Sequence, residues 1–238
     1  MNYIVKRASS AVALDGDFEN DPQWKNANVI ELTNRMYAHH NIFARLWRKW
    51  SGAEEREKND PYNPRTRLKL LYDDENIYGL FLVNDQYVRV TAEKYGDQAC
   101  VDSCAEFFIR PANNLRYYNF EFSAGGYLLL YNITNLRKGK FTKVPESDCK
   151  SIRIFHSLPS KVDPEITEPT DWRIGFAIPI EFFVKFGDGV NRSLSGQTWT
   201  ANVYKCGDET SHPHWYTWKP IPKLDFHLPD FFAPITFE

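Results

Sequence analysis

The chain has 238 residues, of which 42% are hydrophobic and 25% are charged, and its formal net charge at pH 7 is -2. This balance is that of a globular protein and excludes a disordered or fibrous chain. A near-neutral charge argues against nucleic acid and against an anionic membrane as partners. The longest nearly apolar run, 78–83, is far shorter than a membrane helix requires.

The N-terminus lacks the uninterrupted apolar core of a secretory signal, because the residues Lys6, Arg7, Ser9 and Ser10 interrupt it. We therefore expect a cytoplasmic location for the chain as written. A periplasmic or secreted location is expected instead if an export signal has been removed.

Strand-like alternation of apolar and polar residues dominates the chain. The segments 66–72 and 77–83, joined by a polar turn, predict a β-hairpin. Further strands are predicted, in chain order, at 105–109, 117–122, 127–131, 151–155, 172–180 and 199–205. Many short strands separated by turn residues predict an all-β protein, a sandwich or a barrel.

Three segments depart from this alternation. The stretch 37–58 predicts a partly helical insertion, a short helix is predicted after Pro179 at 180–186, and the proline-rich stretch 157–169 predicts a long loop. Neither an internal repeat nor a linker interrupts the chain. The prediction is therefore one domain over 1–238, a single-domain antiparallel β-sandwich of the immunoglobulin-like or jelly-roll-like kind.

Alternation also assigns residues to the two faces of a sheet. One face of three strands is apolar and predicts a core wall: Ala105, Phe107, Ile109, Tyr118, Phe120, Phe122, Trp199, Ala201 and Val203. The opposite face carries Glu106, Asn119, Glu121 and Tyr204. Carboxylates, amides and tyrosines suit a ligand rich in hydroxyl groups, although an ordinary solvated face gives the same pattern.

Two of these acids permit an enzymatic alternative. Glu106 and Glu121 are candidates for the paired carboxylates of a glycoside hydrolase that acts on O-glycosyl compounds. The favoured interpretation is non-catalytic binding, with no catalytic residues. The number of subunits is left open.

Metal binding is also left open, and no cofactor is required. The four cysteines, Cys100, Cys104, Cys149 and Cys206, are expected to be free or buried thiols. The pair His212 and His214 has the spacing of two metal ligands, with Asp208, Glu209 or His227 available as a third. Bound Ca²⁺ is a further candidate, through loop carboxylates such as Asp15, Asp17 or Asp73.

An ordered set of motifs resembles the carbohydrate-binding module family 9-like proteins of the DOMON-like group. These motifs are LDGDFENDPQW (14–24), RLKLLYDDENIYGLFLVND (67–85), DSCAEFFIRP (102–111), YYNFEF (117–122), WRIGFAIPIEFF (172–183), TWTANVYKCGDETSHPHWYTW (198–218) and FHLPDFFAPITF (226–237). The resemblance implies a β-sandwich that binds mono- or oligosaccharides and serves carbohydrate catabolism, often as a module attached to a xylanase. Haem, which some DOMON-like domains bind, is not expected, because neither Met1 nor Met36 lies in a motif.

The resemblance also implies how a sugar would be held. In sugar-binding members the ligand lies between two tryptophans and hydrogen-bonds to a glutamate, which matches Glu106. The two tryptophan positions fall on Cys100 and Phe226, and an arginine position falls on Glu121.

Other aromatic residues could replace the missing tryptophan. Trp215, Trp218 and, from the insertion, Trp47 or Trp50 are the candidates, and His227 is a further polar one. The predicted carbohydrate site is therefore Glu106, Asn119, Glu121, Tyr204, Trp215, Trp218, Phe226 and His227.

Overall fold

The structure is a computed structural model that describes residues 2–37 and 61–238. Within these ranges the chain forms sixteen β-strands. They are β1 (Tyr3–Arg7), β2 (Val29–Glu31), β3 (Asn34–Met36), β4 (Arg65–Tyr72), β5 (Asn76–Asp85), β6 (Val88–Val90), β7 (Cys104–Arg110), β8 (Tyr117–Ser123), β9 (Leu128–Asn135), β10 (Lys140–Lys143), β11 (Arg153–His156), β12 (Val162–Ile166), β13 (Thr170–Pro179), β14 (Thr198–Cys206), β15 (Trp215–Thr217) and β16 (Ala233–Phe237).

The strands form two layers that share β1. The first layer has the order β10-β9-β8-β7-β14-β16-β1, and the second has the order β1-β4-β5-β13-β11. The start of β1 pairs in parallel with β16, and its end pairs in parallel with β4, so this strand passes from one layer to the other. The expected all-β sandwich is confirmed.

Aromatic side chains fill the space between the layers. Phe107 of β7 and Phe122 of β8 each stack on Phe176 of β13, with ring centroids 5.7 and 5.0 Å apart. All three rings are fully buried. Burial of rings of this size supplies much of the hydrophobic stabilisation, so most of the aromatic excess in the sequence belongs to the core.

Helices are few and short in the described part of the chain. The helix α1 spans Glu146–Cys149, and α2 spans Ile180–Phe186 directly after Pro179, as predicted. No helix in the described ranges has both the length and the apolar character needed to cross a membrane. The predicted insertion at 37–58 lies, except for its first residue, outside the described residues.

The hairpin prediction is confirmed by β4 and β5, which pair along their whole length as far as Tyr72 and Ile77. The prediction of a long loop at 157–169 is wrong, because part of this stretch forms β12, which pairs with β6. Val162 and Ile166 pair with Val90 and Val88, and Pro164 lies between these two paired positions at an irregularity of the register. A strand can hold a proline where the ladder is interrupted in this way.

Candidate functional site

The two faces predicted for β7, β8 and β14 are confirmed. The predicted apolar set lies in the core between the layers. The opposite face of these strands, with β9 beside them, forms one wall of a pocket of about 600 Å³. The rest of the lining comes from Gln98, Cys100, Leu136, Phe141, Asp208, Trp215 and the stretch 223–227.

Glu106 lies at the centre of this wall. On one side it is paired with Glu121 of β8, and on the other side with Tyr204 of β14. The sequence pattern predicted that Glu106 points outward from the core, with an ordinary solvated face as the alternative, and Glu106 is only 2% exposed and Glu121 only 6%. Both acids face away from the core, as predicted, but the face is not an ordinary solvated one, because the surrounding loops enclose the acids in a pocket.

Hydrogen bonds fix the polar side chains of the wall. Asn119 donates from Nδ2 to Glu121 Oε1 at 2.7 Å, and its Oδ1 accepts from the Tyr131 backbone N–H at 2.8 Å. The Cys206 thiol donates to Glu106 Oε1 at 3.0 Å. These bonds hold both carboxyl groups in defined positions before any ligand arrives, which reduces the entropic cost of binding.

Burial favours the neutral form of three acids in the pocket, Glu106, Glu121 and Asp208. Burial, followed by the charge of Glu121, raises the pKa of Glu106 well above its usual value. Burial likewise raises the pKa of Glu121 to about 7, and it raises the pKa of Asp208. A protonated carboxyl group can donate a hydrogen bond as well as accept one, so these acids can serve both the donor and the acceptor sides of a hydroxyl group.

Two predicted aromatic residues line the pocket and are held in place by neighbours. Trp215 donates from its indole N–H to Asp208 Oδ1 at 2.7 Å. The ring of Phe226 stacks on Tyr204, with centroids 4.1 Å apart, and the Tyr204 hydroxyl donates to the Phe226 carbonyl at 3.0 Å. Tyr204 is fully buried and therefore supports Phe226 from beneath, outside the pocket lining.

His227 lines the pocket next to Phe226. Its Nδ1 lies 3.0 Å from the Tyr117 hydroxyl, and its ring packs on Phe108 with centroids 5.2 Å apart. Burial lowers the pKa of His227 to about 4. The imidazole is therefore neutral at pH 7 and offers a hydrogen bond without adding a charge.

Trp218 does not reach the pocket, although the sequence analysis placed it in the site. The strand β15 ends at Thr217, and the Trp218 backbone N–H donates to the Val203 carbonyl. The ring of Trp218 packs edge-on against Tyr3, with centroids 6.1 Å apart. Side chains three residues apart on an extended strand point to opposite faces, so Trp218 faces the core, as Tyr216 does, when Trp215 faces the pocket. Trp47 and Trp50 lie outside the described residues.

Sequence reasoning missed several lining residues. Leu129 and Tyr131 of β9 are paired with Glu121 and Asn119, so alternation along the predicted strand 127–131 could have found them. Lys223 and Asp225 come from an irregular loop, for which the sequence gives no such signal.

The candidate ligands for a metal ion do not converge as the sequence suggested. Both ring nitrogens of His214 already have hydrogen-bond partners: Nε2 lies 2.5 Å from Lys205 Nζ, and Nδ1 lies 2.9 Å from the His212 carbonyl oxygen. His212 instead stacks on Tyr87. Asp17 and Asp73 accept hydrogen bonds from the backbone of their own turns.

The thiols are free, as expected: Cys104, Cys149 and Cys206 are buried, and Cys100 is partly buried. Among the residues that the structure describes, the ligand atoms that do come together are those of Cys104, Glu106 and Cys206.

Solved structures with the same fold include sugar complexes. A candidate carbohydrate-binding protein from Bacteroides uniformis is 24% identical, with a TM-score of 0.78 over 100% of this chain and 99% of that one. A carbohydrate-binding module of family 9 from Caldicellulosiruptor kristjanssonii, in complex with cellotriose, is 11% identical, with a TM-score of 0.57 over 100% of this chain and 94% of that one. The glucose complex of such a module from the same organism is 13% identical, with a TM-score of 0.53 over 99% and 95%. No curated protein matches the chain.

The family model of carbohydrate-binding family 9 matches residues 53–237, which is most of the chain. The family consists of non-catalytic binding modules. The match covers every strand from β4 to β16, and with them the whole lining of the pocket. This chain belongs to carbohydrate-binding family 9.

Proposed function

We propose that the protein is a non-catalytic module that binds a mono- or oligosaccharide in the pocket around Glu106, and that this binding serves the breakdown of a polysaccharide. The observation that carries the proposal is the meeting, in one pocket, of the acids Glu106 and Glu121 with the aromatic rings of Trp215 and Phe226. A sugar ring has apolar C–H faces and a rim of hydroxyl groups, and this lining offers partners for both.

The hydrogen-bonding groups belong to a rigid strand wall. Asn119 and Glu121 are tied to each other and to β9, so their positions do not depend on a ligand. Trp215 lies on β15, the neighbour of β14, where Asp208 holds its indole, and Phe226 comes from the stretch 223–227, where Tyr204 supports its ring. A sugar bound against the wall would meet these rings on its C–H faces. Membership of family 9, and the glucose and cellotriose complexes of modules with this fold, support the same ligand class.

The position of the two acids disfavours the glycoside hydrolase alternative. Glycosidases place their two carboxyl groups on either side of the scissile bond. Glu106 and Glu121 are direct cross-strand neighbours on one wall, so they approach a ligand from the same side. We therefore expect no turnover of aryl glycosides by the protein.

Isothermal titration with glucose, cellobiose and cellotriose tests the proposal. We expect saturable binding of at least one of these sugars, and a loss of affinity of about tenfold, or 1.4 kcal/mol, for Trp215→Leu. Trp218→Leu is the matched control, because the same change is made to a tryptophan outside the pocket. Equal losses in both variants, or no heat with any sugar from the folded protein, would contradict the proposal.

A further inference from the structure

Two cysteines and a glutamate meet at the floor of the pocket. Cys104 of β7 is the direct cross-strand partner of Cys206 of β14, and Glu106 lies two residues further along β7, on the same face as Cys104. The two thiol sulfurs and a carboxylate oxygen all lie within 4.8 Å of one another. All three residues are at most 2% exposed.

We propose that Cys104, Cys206 and Glu106 form a binding site for a single divalent metal ion with an affinity for thiolates, with Zn²⁺ as the expected ion. Two sulfurs and one oxygen are a ligand set that suits Zn²⁺, whereas Mg²⁺ and Ca²⁺ prefer oxygen ligands alone. As the ion binds, both thiols and the Glu106 carboxyl group release their protons to solvent, and the three groups bind the ion as two thiolates and one carboxylate.

The spacing of the three groups fits this ion after a small adjustment. Zn–S and Zn–O bonds of roughly 2.3 and 2.0–2.2 Å place the ligands of a tetrahedral ion roughly 3.5–3.8 Å apart. The Cys206 sulfur and Glu106 Oε1 are already 3.0 Å apart, joined by a hydrogen bond that the metal would replace. Paired strands hold all three residues, and their ligand atoms are at most 4.8 Å apart. Side-chain rotations that move these atoms by about 1 Å therefore complete the geometry.

The fourth position on the ion would face the pocket. Glu106 and Cys206 both line the pocket, whereas Cys104 lies behind them. A tetrahedral ion held by three protein groups has one position left, which water or a hydroxyl group of a ligand can occupy. Cys100 is not part of the triad, and its thiol contacts Gln98 Oε1 at 3.8 Å.

Metal titration of the whole chain tests this site without any sugar, so its outcome is separate from that of the proposed function. The protein is treated with a chelator, its four thiols are kept reduced, and Zn²⁺ is titrated in competition with a chromophoric chelator. Co²⁺ is used in a parallel titration, because its thiolate charge-transfer absorption reports bound sulfurs directly in the unmodified protein. We expect one ion per chain and a charge-transfer band from two thiolates.

Variants assign the ligands. Cys104→Ser and Cys206→Ser should each weaken Zn²⁺ binding by about 100-fold or more, and Glu106→Gln should weaken it while keeping the Co²⁺ charge-transfer band. Cys149→Ser is the matched control, because this buried thiol contacts Tyr95 in a different part of the core. The absence of a charge-transfer band in the reduced wild-type protein would overturn the proposal. An equal loss of affinity in Cys149→Ser would overturn it as well.

Discussion

Glu106 and Glu121 are directly opposite each other on β7 and β8, and both face the same pocket. Ionising both carboxyl groups would place like charges side by side in a buried site, so each carboxylate is less stable here than in the unfolded chain. The pair is therefore unfavourable for folding. This cost agrees with the proposed binding role of the pocket, since functional sites commonly lower the stability of the free protein.

The first prediction concerns this cost. Glu121→Gln should increase the free energy of unfolding at pH 7 by about 1 kcal/mol, because burial raises the pKa of Glu121 to about 7 and so disfavours the carboxylate that is stable in the unfolded chain. The glutamine keeps an oxygen that can accept from Asn119. Urea denaturation measures the change. The exposed Glu93 provides the control variant Glu93→Gln, which should have little effect. A destabilised Glu121→Gln protein would show that the pair does not oppose folding.

Asp208 holds the indole of Trp215, so its removal should affect the sugar and not the fold. We expect Asp208→Ala to lower sugar affinity by about three- to tenfold, because Trp215 loses the hydrogen bond that orients it. The neighbouring Glu209→Ala is the matched control, since Glu209 lies outside the pocket lining. Isothermal titration compares the two. If both variants bind the sugar as tightly as the wild type, then Asp208 does not position the ring.

Lys205 and Asp85 form a buried ion pair, with Nζ and Oδ2 3.4 Å apart and both side chains inaccessible to solvent. Trp172 also donates to Asp85, at 2.9 Å. Lys205→Met should destabilise the protein by about 3–5 kcal/mol, because it leaves a buried carboxylate without its cation. The double variant Lys205→Met/Asp85→Asn should recover most of the loss in urea denaturation. A double variant no more stable than Lys205→Met would contradict this explanation.

His214 makes stability depend on pH. Burial, and then the charge of Lys205, lower the pKa of His214 from 6.5 to about 3, although Asp85 opposes them; Arg35 also disfavours the protonated ring. Between pH 6.5 and 4.5 the unfolded chain binds a proton at this position and the folded chain does not. This group therefore lowers the free energy of unfolding as the pH falls, by up to about 1.4 kcal/mol per pH unit.

The comparison with His214→Gln isolates that contribution, because the other titrating groups are common to both proteins. Over pH 6.5 to 4.5, the wild type should lose more stability than the variant in denaturation experiments at fixed pH values. The glutamine oxygen can still accept a hydrogen bond from Lys205. Parallel pH profiles would show that His214 takes up its proton equally in the folded and unfolded states.

Local alternation was sufficient to predict much of this molecule. It separated Phe107 from Glu106 and Phe120 from Glu121, because successive side chains of a strand point to opposite faces. Alternation could not predict which other segments cover a face of the sheet, because those segments are distant in sequence. The loop carrying Lys223 and Asp225, and the segment carrying Cys100, enclose Glu106 through contacts between residues distant in sequence.

The same limit explains the remaining differences. Cys104 and Cys206 are neighbours because β7 pairs with β14, which no spacing within the sequence indicates. The sequence analysis treated Trp215 and Trp218 alike, but residues three apart on a strand face opposite sides, so that one lines the pocket and the other packs on Tyr3.

A crystal structure of the protein with cellotriose tests the central claim most directly. The account predicts a sugar ring in the pocket, in contact with the rings of Trp215 and Phe226, with a hydroxyl group within hydrogen-bond distance of Glu106. Density for the sugar at another surface, with this pocket filled by solvent alone, would contradict it.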